Sequence, residues 1–364
     1  MEISRRNFVK SGLLAGGTAL YSPNVFLSAT RKPLKEKLGV ALVGLGYYST
    51  DLLAPALQLT KHCELKGIVT GSPDKAKIWQ EKYGLADGNI YNYSSMKDIA
   101  NNPDIDVIYV VLPPSMHKDY TILAANTGKH VWCEKPMAPS VADCQAMIDA
   151  CNKNKVGLSI GYRCQHDPNL QMVKKMAKEQ KFGKPMMVNS AAGYFDPRVD
   201  HWKQKKEMGG GVMGDMGVYA IQGARMATGE EPIAVSAMLT TTRPEIYHEV
   251  EETATYVLEF PSGAMATCQS SFGVNMNHLQ VNYQKGWLKM EPQSGYGDNK
   301  GRLSDGTEIY TPVTRQQPLQ LDDDALAIKN KTPYLCPGEE GLRDIKVVEA
   351  VYRSGAANGL TVKV

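Results

Sequence analysis

The chain has 364 residues, of which 43% are hydrophobic and 22% charged, a globular composition with enough material for two domains. Its net charge is +3, and seven positive charges lie within the first 37 residues, so the remainder is nearly neutral and no nucleic-acid partner is expected. No apolar run reaches the roughly 18 residues that a membrane-spanning helix requires, so we predict no membrane span.

Residues 1–29 have the layout of an export signal. Arg5, Arg6 and Lys10 precede a short apolar run that ends in small residues. The paired arginines, followed by Phe8, resemble the twin-arginine (Tat) signal, which directs folded proteins to the Tat export machinery. The pattern predicts a periplasmic protein. The alternative is the amphipathic start of a cytosolic protein.

The seven cysteines show neither a CxxC motif nor the spacing of a disulfide framework. We interpret them as core residues, which a protein exported in the folded state can retain as thiols. Folding before export would also allow a cofactor made in the cytosol to be loaded first. His166, His201 and His278 show no metal-ligand spacing, so no metal site is predicted.

The region 37–160 predicts a Rossmann dinucleotide-binding domain, an α/β fold with a parallel, doubly wound sheet. Apolar strands alternate with amphipathic helices, as expected for strands that helices cover on both faces. Strands are expected at 38–43, 63–70, 106–114, 129–136 and 156–163, and helices at 73–83, 117–128 and 140–154. Ligands of such sheets gather at the carboxyl ends of the strands. The rim predicted there contains Gly44, Thr70, Pro113, Glu134, Lys135 and Arg163.

A glycine turn follows the first strand. Gly44 permits a tight turn, and Gly46 lets the backbone approach a pyrophosphate at the start of the next helix. Leu45 lies between them, Tyr47 follows, and Ser49 occupies the place of the third glycine of the dinucleotide fingerprint. The preceding strand strengthens a motif that would be weak alone.

The end of the second strand favours NADP over NAD. Domains that select NAD commonly carry an acid there, which holds the ribose 2′-hydroxyl. Here Thr70, Gly71 and Ser72 come instead, and Lys75 lies in the first turn of the following helix. Hydroxyls, helix-start amides and a cation suit a 2′-phosphate. The alternative is that Asp74 caps the helix and Lys75 is an ordinary surface charge.

The region 161–335 predicts an α+β domain with an open, predominantly antiparallel sheet. Its segments alternate or carry β-branched residues, with turns between them. The expected strands are 186–194, 233–241, 252–260, 264–272, 278–284 and 286–291. The last region, 336–364, predicts a helix that packs back on the Rossmann domain.

Several motifs together resemble the Gfo/Idh/MocA oxidoreductase family, in particular its exported, NADP-carrying members. They are VGLGYY, LPPSMH, CEKPMAPS, GYRCQHDPN, GGGVMGDMGVYAIQGARMATGEEPI and PGEEGLRDIKVVEAVYRS, and the resemblance runs from about residue 38 to 355. The Glu-Lys-Pro run at a strand end is the most specific element. The resemblance implies that the domain 161–335 binds a sugar substrate and pairs subunits through its sheet into a homo-oligomer, a dimer or tetramer.

By this resemblance Lys135 is the catalytic lysine, Tyr219 stands at the position of the acid–base residue, and Asp215 precedes it by one helical turn. Oxidation of a hydroxyl group independently favours a lysine beside a tyrosine. A tyrosine with its ordinary pKa of about 10 is mostly protonated at neutral pH, and a nearby ammonium group would stabilise the phenolate that acts as the base. The alternative for Tyr219 is a half-buried core residue.

The resemblance also places His117 and Arg163 beside the nicotinamide. The predicted substrate contacts are Lys135, Arg163, Asp215 and Tyr219. The expected function is an exported, NADP-dependent sugar oxidoreductase with a tightly bound nicotinamide, which would exchange hydride between two sugars. The alternatives are a glycosidase that uses transient oxidation and a non-catalytic dinucleotide-binding module.

Overall fold

The computed structural model describes residues 35–364, so the predicted export signal lies outside the described residues. Residues Glu36–Val364 form one compact unit with two β-sheets. The strands of the first sheet are β1 (Leu38–Val43), β2 (Cys63–Val69), β3 (Ile90–Tyr91), β4 (Val107–Val110), β5 (His130–Cys133) and β6 (Leu158–Ile160). The strands of the second sheet are β7 (Pro185–Gly193), β8 (Ala234–Thr240), β9 (Thr253–Glu259), β10 (Met265–Ser271), β11 (Met276–Tyr283), β12 (Gly286–Met290), β13 (Gly301–Leu303), β14 (Glu308–Ile309) and β15 (Val362–Lys363).

The first sheet has the order β3-β2-β1-β4-β5-β6, and every neighbouring pair is parallel. This is the doubly wound order of dinucleotide-binding domains, in which the strand order reverses between β1 and β4. The reversal opens a crevice at the carboxyl ends of these two strands. The predicted Rossmann domain is therefore confirmed.

Helices bury both faces of this sheet. In β1, Val40 and Leu42 belong to one hydrophobic cluster, whereas Ala41 and Val43 belong to another. The alternation explains why the strand is apolar throughout, since successive side chains enter opposite cores. The helices of the chain are α1 (Ala54–Leu57), α2 (Pro73–Tyr83), α3 (Pro114–Asn126), α4 (Val141–Lys153), α5 (Pro168–Glu179), α6 (Val218–Thr228), α7 (Gln317–Asn330) and α8 (Gly338–Ala356).

The second sheet has the order β14-β13-β12-β11-β7-β10-β9-β8-β15 and is open. Only β7 and β10 pair in parallel among its described strands, and all other pairs are antiparallel. The predicted open, predominantly antiparallel sheet is therefore confirmed. One face carries the core residues, whereas Met187, Met238 and Met265 are exposed.

The last helix contacts both halves of the molecule. A Cβ atom on Gly341 would lie 2.8 Å from Met137, which follows β5, and one on Gly355 would lie 2.9 Å from the side chain of Leu239 in β8. After α8, strand β15 pairs with β8. The helix predicted to pack on the Rossmann domain thus packs against the second sheet as well.

The structure also bears on the two predictions about membrane spans and cysteines. No helix in residues 35–364 is long and apolar enough to cross a membrane. All seven cysteines are buried and form no disulfide, as expected for thiols of the core.

Candidate active site at the rim of the first sheet

The glycine turn after β1 has the geometry that a dinucleotide requires. Gly44 has φ +92°, and a Cβ atom there would lie 2.4 Å from the carbonyl oxygen of Val111. At Gly46, by contrast, a Cβ atom would meet nothing within 4 Å, so the backbone is open to a ligand. The buried Ser49 hydroxyl donates a hydrogen bond of 2.6 Å to the carbonyl of Gly44, which explains how a serine fits the third position.

The residues after β2 reach back to this turn. Ser72 caps α2, since its hydroxyl accepts a hydrogen bond of 3.3 Å from the amide of Lys75, and Thr70 accepts one of 3.2 Å from the amide of Ser72. The Lys75 ammonium group donates a 3.2 Å hydrogen bond to the carbonyl of Leu45. Gly71 is exposed beside them. An ammonium group and a helix start therefore lie at one corner of the glycine turn.

At the other end of the rim, Lys135 and Asp215 form an ion pair beside Tyr219. The Lys135 Nζ atom lies 2.9 Å from Asp215 Oδ1 and donates a 2.8 Å hydrogen bond to the Asp215 carbonyl. It also lies 4.7 Å from the ring centroid of Tyr219, over the ring. The three residues predicted to act together are thus in contact, although they come from the end of β5 and from the start of α6.

Opposed effects set the protonation of this pair. Burial disfavours both charges, but the neighbouring lysines hold the pKa of Asp215 well below its usual range. Burial also opposes the charge of Lys135, yet Asp215 raises its pKa overall. Lys135 is therefore an ammonium group that donates hydrogen bonds over the whole neutral range.

Lys203 binds the second oxygen of Asp215; the sequence placed it only within the segment 194–203, expected to line the pocket, and gave it no role of its own. Its Nζ atom lies 2.6 Å from Asp215 Oδ2 and 2.9 Å from the hydroxyl of Tyr194. The run HWKQKK that contains it carries no signal separating this lysine from its exposed neighbours. Only the fold brings it to the site.

Arg163 connects the catalytic group to a loop of the second sheet. Its guanidinium group donates a 3.3 Å hydrogen bond to the hydroxyl of Tyr219, and it donates to the carbonyls of Ser294 and Gly295 at 2.8 and 2.7 Å. It stacks 4.2 Å from the ring centroid of Tyr296, a residue that the sequence did not indicate. Two tyrosine rings and a guanidinium group thus surround the space beside Lys135.

Glu134 is buried directly beneath this space. The hydroxyl of Tyr109 donates a 2.5 Å hydrogen bond to its Oε1, and the amide of Lys135 donates one of 3.2 Å to its Oε2. Burial raises the pKa of Glu134 to about 7, although Tyr109, Lys135 and Arg163 act in the opposite direction. A carboxyl group that changes charge near neutral pH therefore lies at the rim, as the sequence placed it.

Two predicted cofactor contacts have other neighbours, and one remains exposed. The His117 ring is buried, and its nitrogens lie 2.9 Å from the carbonyl of Pro136 and 2.7 Å from that of Leu112. It therefore holds together the loops after β4 and β5. Pro113 is the residue that precedes α3 and turns the chain into it. Tyr47 is 68% exposed beside the glycine turn.

No group of three or more histidine, cysteine or acidic side chains within residues 35–364 could hold a metal ion. The residues present instead fit a dinucleotide that lies along the carboxyl edge, from Lys75 past Gly46 to Lys135. The open backbone at Gly46 supports this fit.

Comparison with solved structures shows a relative over most of the chain. An aldose-aldose oxidoreductase from Caulobacter crescentus, solved with glycerol, is 38% identical with a TM-score of 0.87, and the match covers 90% of this chain and 100% of that one. A levoglucosan dehydrogenase solved with NADH and levoglucosan is 21% identical with a TM-score of 0.78, over 90% and 99% of the two chains. At that identity the second match shows the fold.

Comparison with characterised sequences agrees. The D-xylose 1-dehydrogenase [NADP(+)] of Haloarcula marismortui is 26% identical over 338 residues, which are 90% of this chain and 92% of the relative. Two family models also match: residues 38–162 match the oxidoreductase family with the NAD-binding Rossmann fold, and residues 170–289 match the GFO/IDH/MocA C-terminal domain. The chain belongs to the Gfo/Idh/MocA family of oxidoreductases.

Proposed function

We propose that this chain is an exported, NADP-dependent sugar oxidoreductase that transfers hydride between a sugar and a tightly bound nicotinamide. The observation that carries the proposal is the contact between Lys135, Asp215 and Tyr219 at the carboxyl edge of the Rossmann sheet. Ligands of doubly wound sheets bind at the carboxyl ends of the strands, and Lys135 lies at this edge, just after β5.

The cofactor assignment rests on the corner formed by the glycine turn and the start of α2. Lys75 and the capped helix start provide a cation and backbone amides for a 2′-phosphate. The carboxylate that would hold an unphosphorylated ribose is missing from the end of β2. The NADP specificity in the name of the Haloarcula relative supports the same assignment.

Oxidation of an alcohol requires a proton to leave the oxygen while a hydride leaves the carbon, and the bound nicotinamide supplies the hydride acceptor. We assign Lys135 to the substrate oxygen, where its ammonium group stabilises the alkoxide that forms. Tyr219 acts as the phenolate, whose negative charge Lys135 and Arg163 would stabilise, and its oxygen takes the alcohol proton to become the neutral phenol. Asp215 fixes Lys135 through Oδ1 and keeps it charged.

A sugar fits the surroundings of these groups. Tyr296 is 46% exposed and provides aromatic surface beside Arg163, and the Lys135 ammonium group is a donor for a hydroxyl group. The names of the Caulobacter and Haloarcula relatives both refer to sugar oxidation or exchange. The enzyme's own sequence also resembles glucose–fructose oxidoreductase, an exported member of the family.

Export and a retained cofactor belong to one scheme. The twin-arginine pattern at Arg5 and Arg6 predicts a periplasmic enzyme, in a compartment that lacks free nicotinamide. We propose that a first sugar reduces the bound cofactor and a second sugar reoxidises it, an aldose–aldose or aldose–ketose exchange. No cofactor then has to leave the protein between turnovers.

The open face of the second sheet supports a homo-oligomer. Met187, Met238 and Met265 are 61%, 67% and 48% exposed on strands whose other face is buried. Exposed apolar side chains on an open sheet are typical of a surface that a second subunit covers.

The test uses protein purified from its natural host. Mass spectrometry of the released nucleotide should identify NADP, and addition of an aldose should raise the absorbance of the protein at 340 nm without added cofactor. A second sugar should then bleach it. Lys135→Ala should abolish the first change, whereas Lys178→Ala, at an exposed position of α5, should not. Release of phenol from an aryl glycoside without net reduction would instead establish the glycosidase alternative, and absence of any change in absorbance would contradict the proposal.

A further inference from the structure

Asp215 is shared between two lysines, and each of its oxygens binds a different one. Oδ1 binds Lys135 at 2.9 Å and Oδ2 binds Lys203 at 2.6 Å. A carboxylate with both oxygens occupied by ammonium groups has a fixed orientation, because rotation would break both contacts. The position of Lys135 therefore depends on Lys203, although the two lysines come from different parts of the chain.

The surroundings of Lys203 fix it in turn. Its Nζ atom lies 2.9 Å from the Tyr194 hydroxyl and 5.3, 5.7 and 6.0 Å from the ring centroids of Tyr194, Trp202 and Phe272. Its side chain is 18% exposed. A surface lysine would have many rotamers, but this one is enclosed by three rings and ends on a carboxylate. Such enclosure indicates a functional position, since burial of an ammonium group costs free energy.

We propose that Lys203 is a positioning residue of the active site, which fixes Asp215 and thereby sets the place and the charge of Lys135. The assignment rests on the proposed function. Lys203 contributes in two ways: it occupies Oδ2, so that Asp215 cannot turn both oxygens toward Lys135, and it adds a second positive charge beside the reacting alcohol.

The electrostatics of the cluster agree with this geometry. Burial lowers the pKa of Lys203, and Lys135 acts in the same direction, whereas Asp215 opposes them. Lys203 therefore holds its proton less tightly than Lys135, for which the balance is reversed. The charged and titratable groups that face Lys203 from the surrounding elements are Lys135, Tyr194, Asp196, Arg198, His201 and Asp215.

The test compares Lys203→Met and Lys203→Arg with wild type. Removal of the positive charge raises the pKa of every neighbouring group, so both limbs of the pH profile of kcat should move up by about one pH unit in Lys203→Met. We expect kcat to fall about tenfold, with a smaller change in KM, since the lysine acts through other residues. Lys203→Arg keeps the charge and should keep both limbs near their wild-type positions.

A second measurement does not depend on activity. Reductive ¹³C-methylation of the lysines makes the Lys135 signal visible by NMR, with the signal assigned by its loss in Lys135→Ala. At neutral pH, where Lys135 remains protonated, this signal should move in Lys203→Met, because Asp215 is no longer held through Oδ2. Lys205→Met is the matched control: it removes a lysine two positions away that pairs with Asp200 at the surface, and it should shift nothing.

The outcomes separate the two proposals. If wild type oxidises no sugar, the proposed function fails, and the position of the Lys135 NMR signal alone decides the role of Lys203. If Lys203→Met leaves both pH limbs and the Lys135 signal in place, the assignment is overturned, including the case in which the variant only loses thermal stability.

Discussion

The stability of Glu134→Gln relative to wild type should rise with pH. The difference in free energy of unfolding between the variant and wild type should be larger at alkaline than at acidic pH. Burial raises the pKa of this carboxyl group from its usual 4.5 to about 7. The folded wild-type protein therefore holds the proton more tightly than the unfolded chain. Its stability from this group is present in full below pH 4.5 and is lost as the pH rises toward about 7. Glutamine carries no charge at any of these pH values, so the variant does not lose stability through ionisation at this position.

The size of the effect follows from the same pKa change. At 1.36 kcal/mol for each pKa unit, ionisation of buried Glu134 costs the folded state ~3 kcal/mol at pH 8.5 and ~1 kcal/mol at pH 5. The free energy of unfolding of Glu134→Gln, relative to wild type, should therefore increase by ~2 kcal/mol between these two pH values. The variant also weakens the hydrogen bond from the amide of Lys135, but that constant contribution cancels in the comparison.

Urea unfolding followed by tryptophan fluorescence at pH 5 and pH 8.5 measures the difference, with linear extrapolation to water. Glu81→Gln, at an exposed position of α2, is the control and should show no dependence of this kind. If the stability difference between Glu134→Gln and wild type is the same at both pH values, the carboxyl group is already ionised in the folded protein at pH 5, and the electrostatic account of the rim is wrong.

Three further outcomes test the turn, the cofactor corner and the last helix. Gly44→Ala should lower stability by ~2 kcal/mol and abolish nucleotide retention, because its Cβ atom would clash with the carbonyl of Val111; an unchanged melting temperature would contradict this. Lys75→Glu should weaken NADP binding at least tenfold and NAD binding much less, as measured by calorimetry, and an equal loss for both would remove the 2′-phosphate assignment. Arg225→Met should cost ~3 kcal/mol of stability, since it leaves Asp344, which lies 2.6 Å from the guanidinium group in wild type, buried without this partner. A urea midpoint that shifts no more than in a surface variant would refute this prediction.

The parallel sheet was predictable because its strands are apolar on both faces and end in turn residues. The strand expected at 106–114 was too long, since Val107–Val110 alone is extended and Pro114 begins a helix. Helix α7 was not predicted. Its inward face carries Gln320 and Asp324 beside Leu321, and such polar residues conceal the apolar periodicity on which the sequence argument depends.

The candidate site was predictable where a motif marks it. Lys135 follows a strand in a Glu-Lys-Pro run, and Asp215 and Tyr219 are four residues apart, so spacing alone brings the last two to one face. Lys203 lies in a short 3-10 turn (Trp202–Gln204) and Tyr296 in a loop, and the place of both is set by long-range packing, which a single sequence does not encode locally. The resemblance placed His117 beside the nicotinamide, and this stays a prediction; in the structure its ring nitrogens lie within hydrogen-bond distance of the carbonyls of Pro136 and Leu112.

The position of helix α8 restricts the motion by which a substrate could enter the site. The helix packs against Met137 on one side and Leu239 on the other. A hinge opening between the two halves would therefore break one of these two sets of packing contacts. Under the proposed exchange between two sugars, in which the nucleotide stays bound between turnovers, this bracing would let a sugar enter through movements of rim segments alone, without an opening of the two halves that could release the dinucleotide.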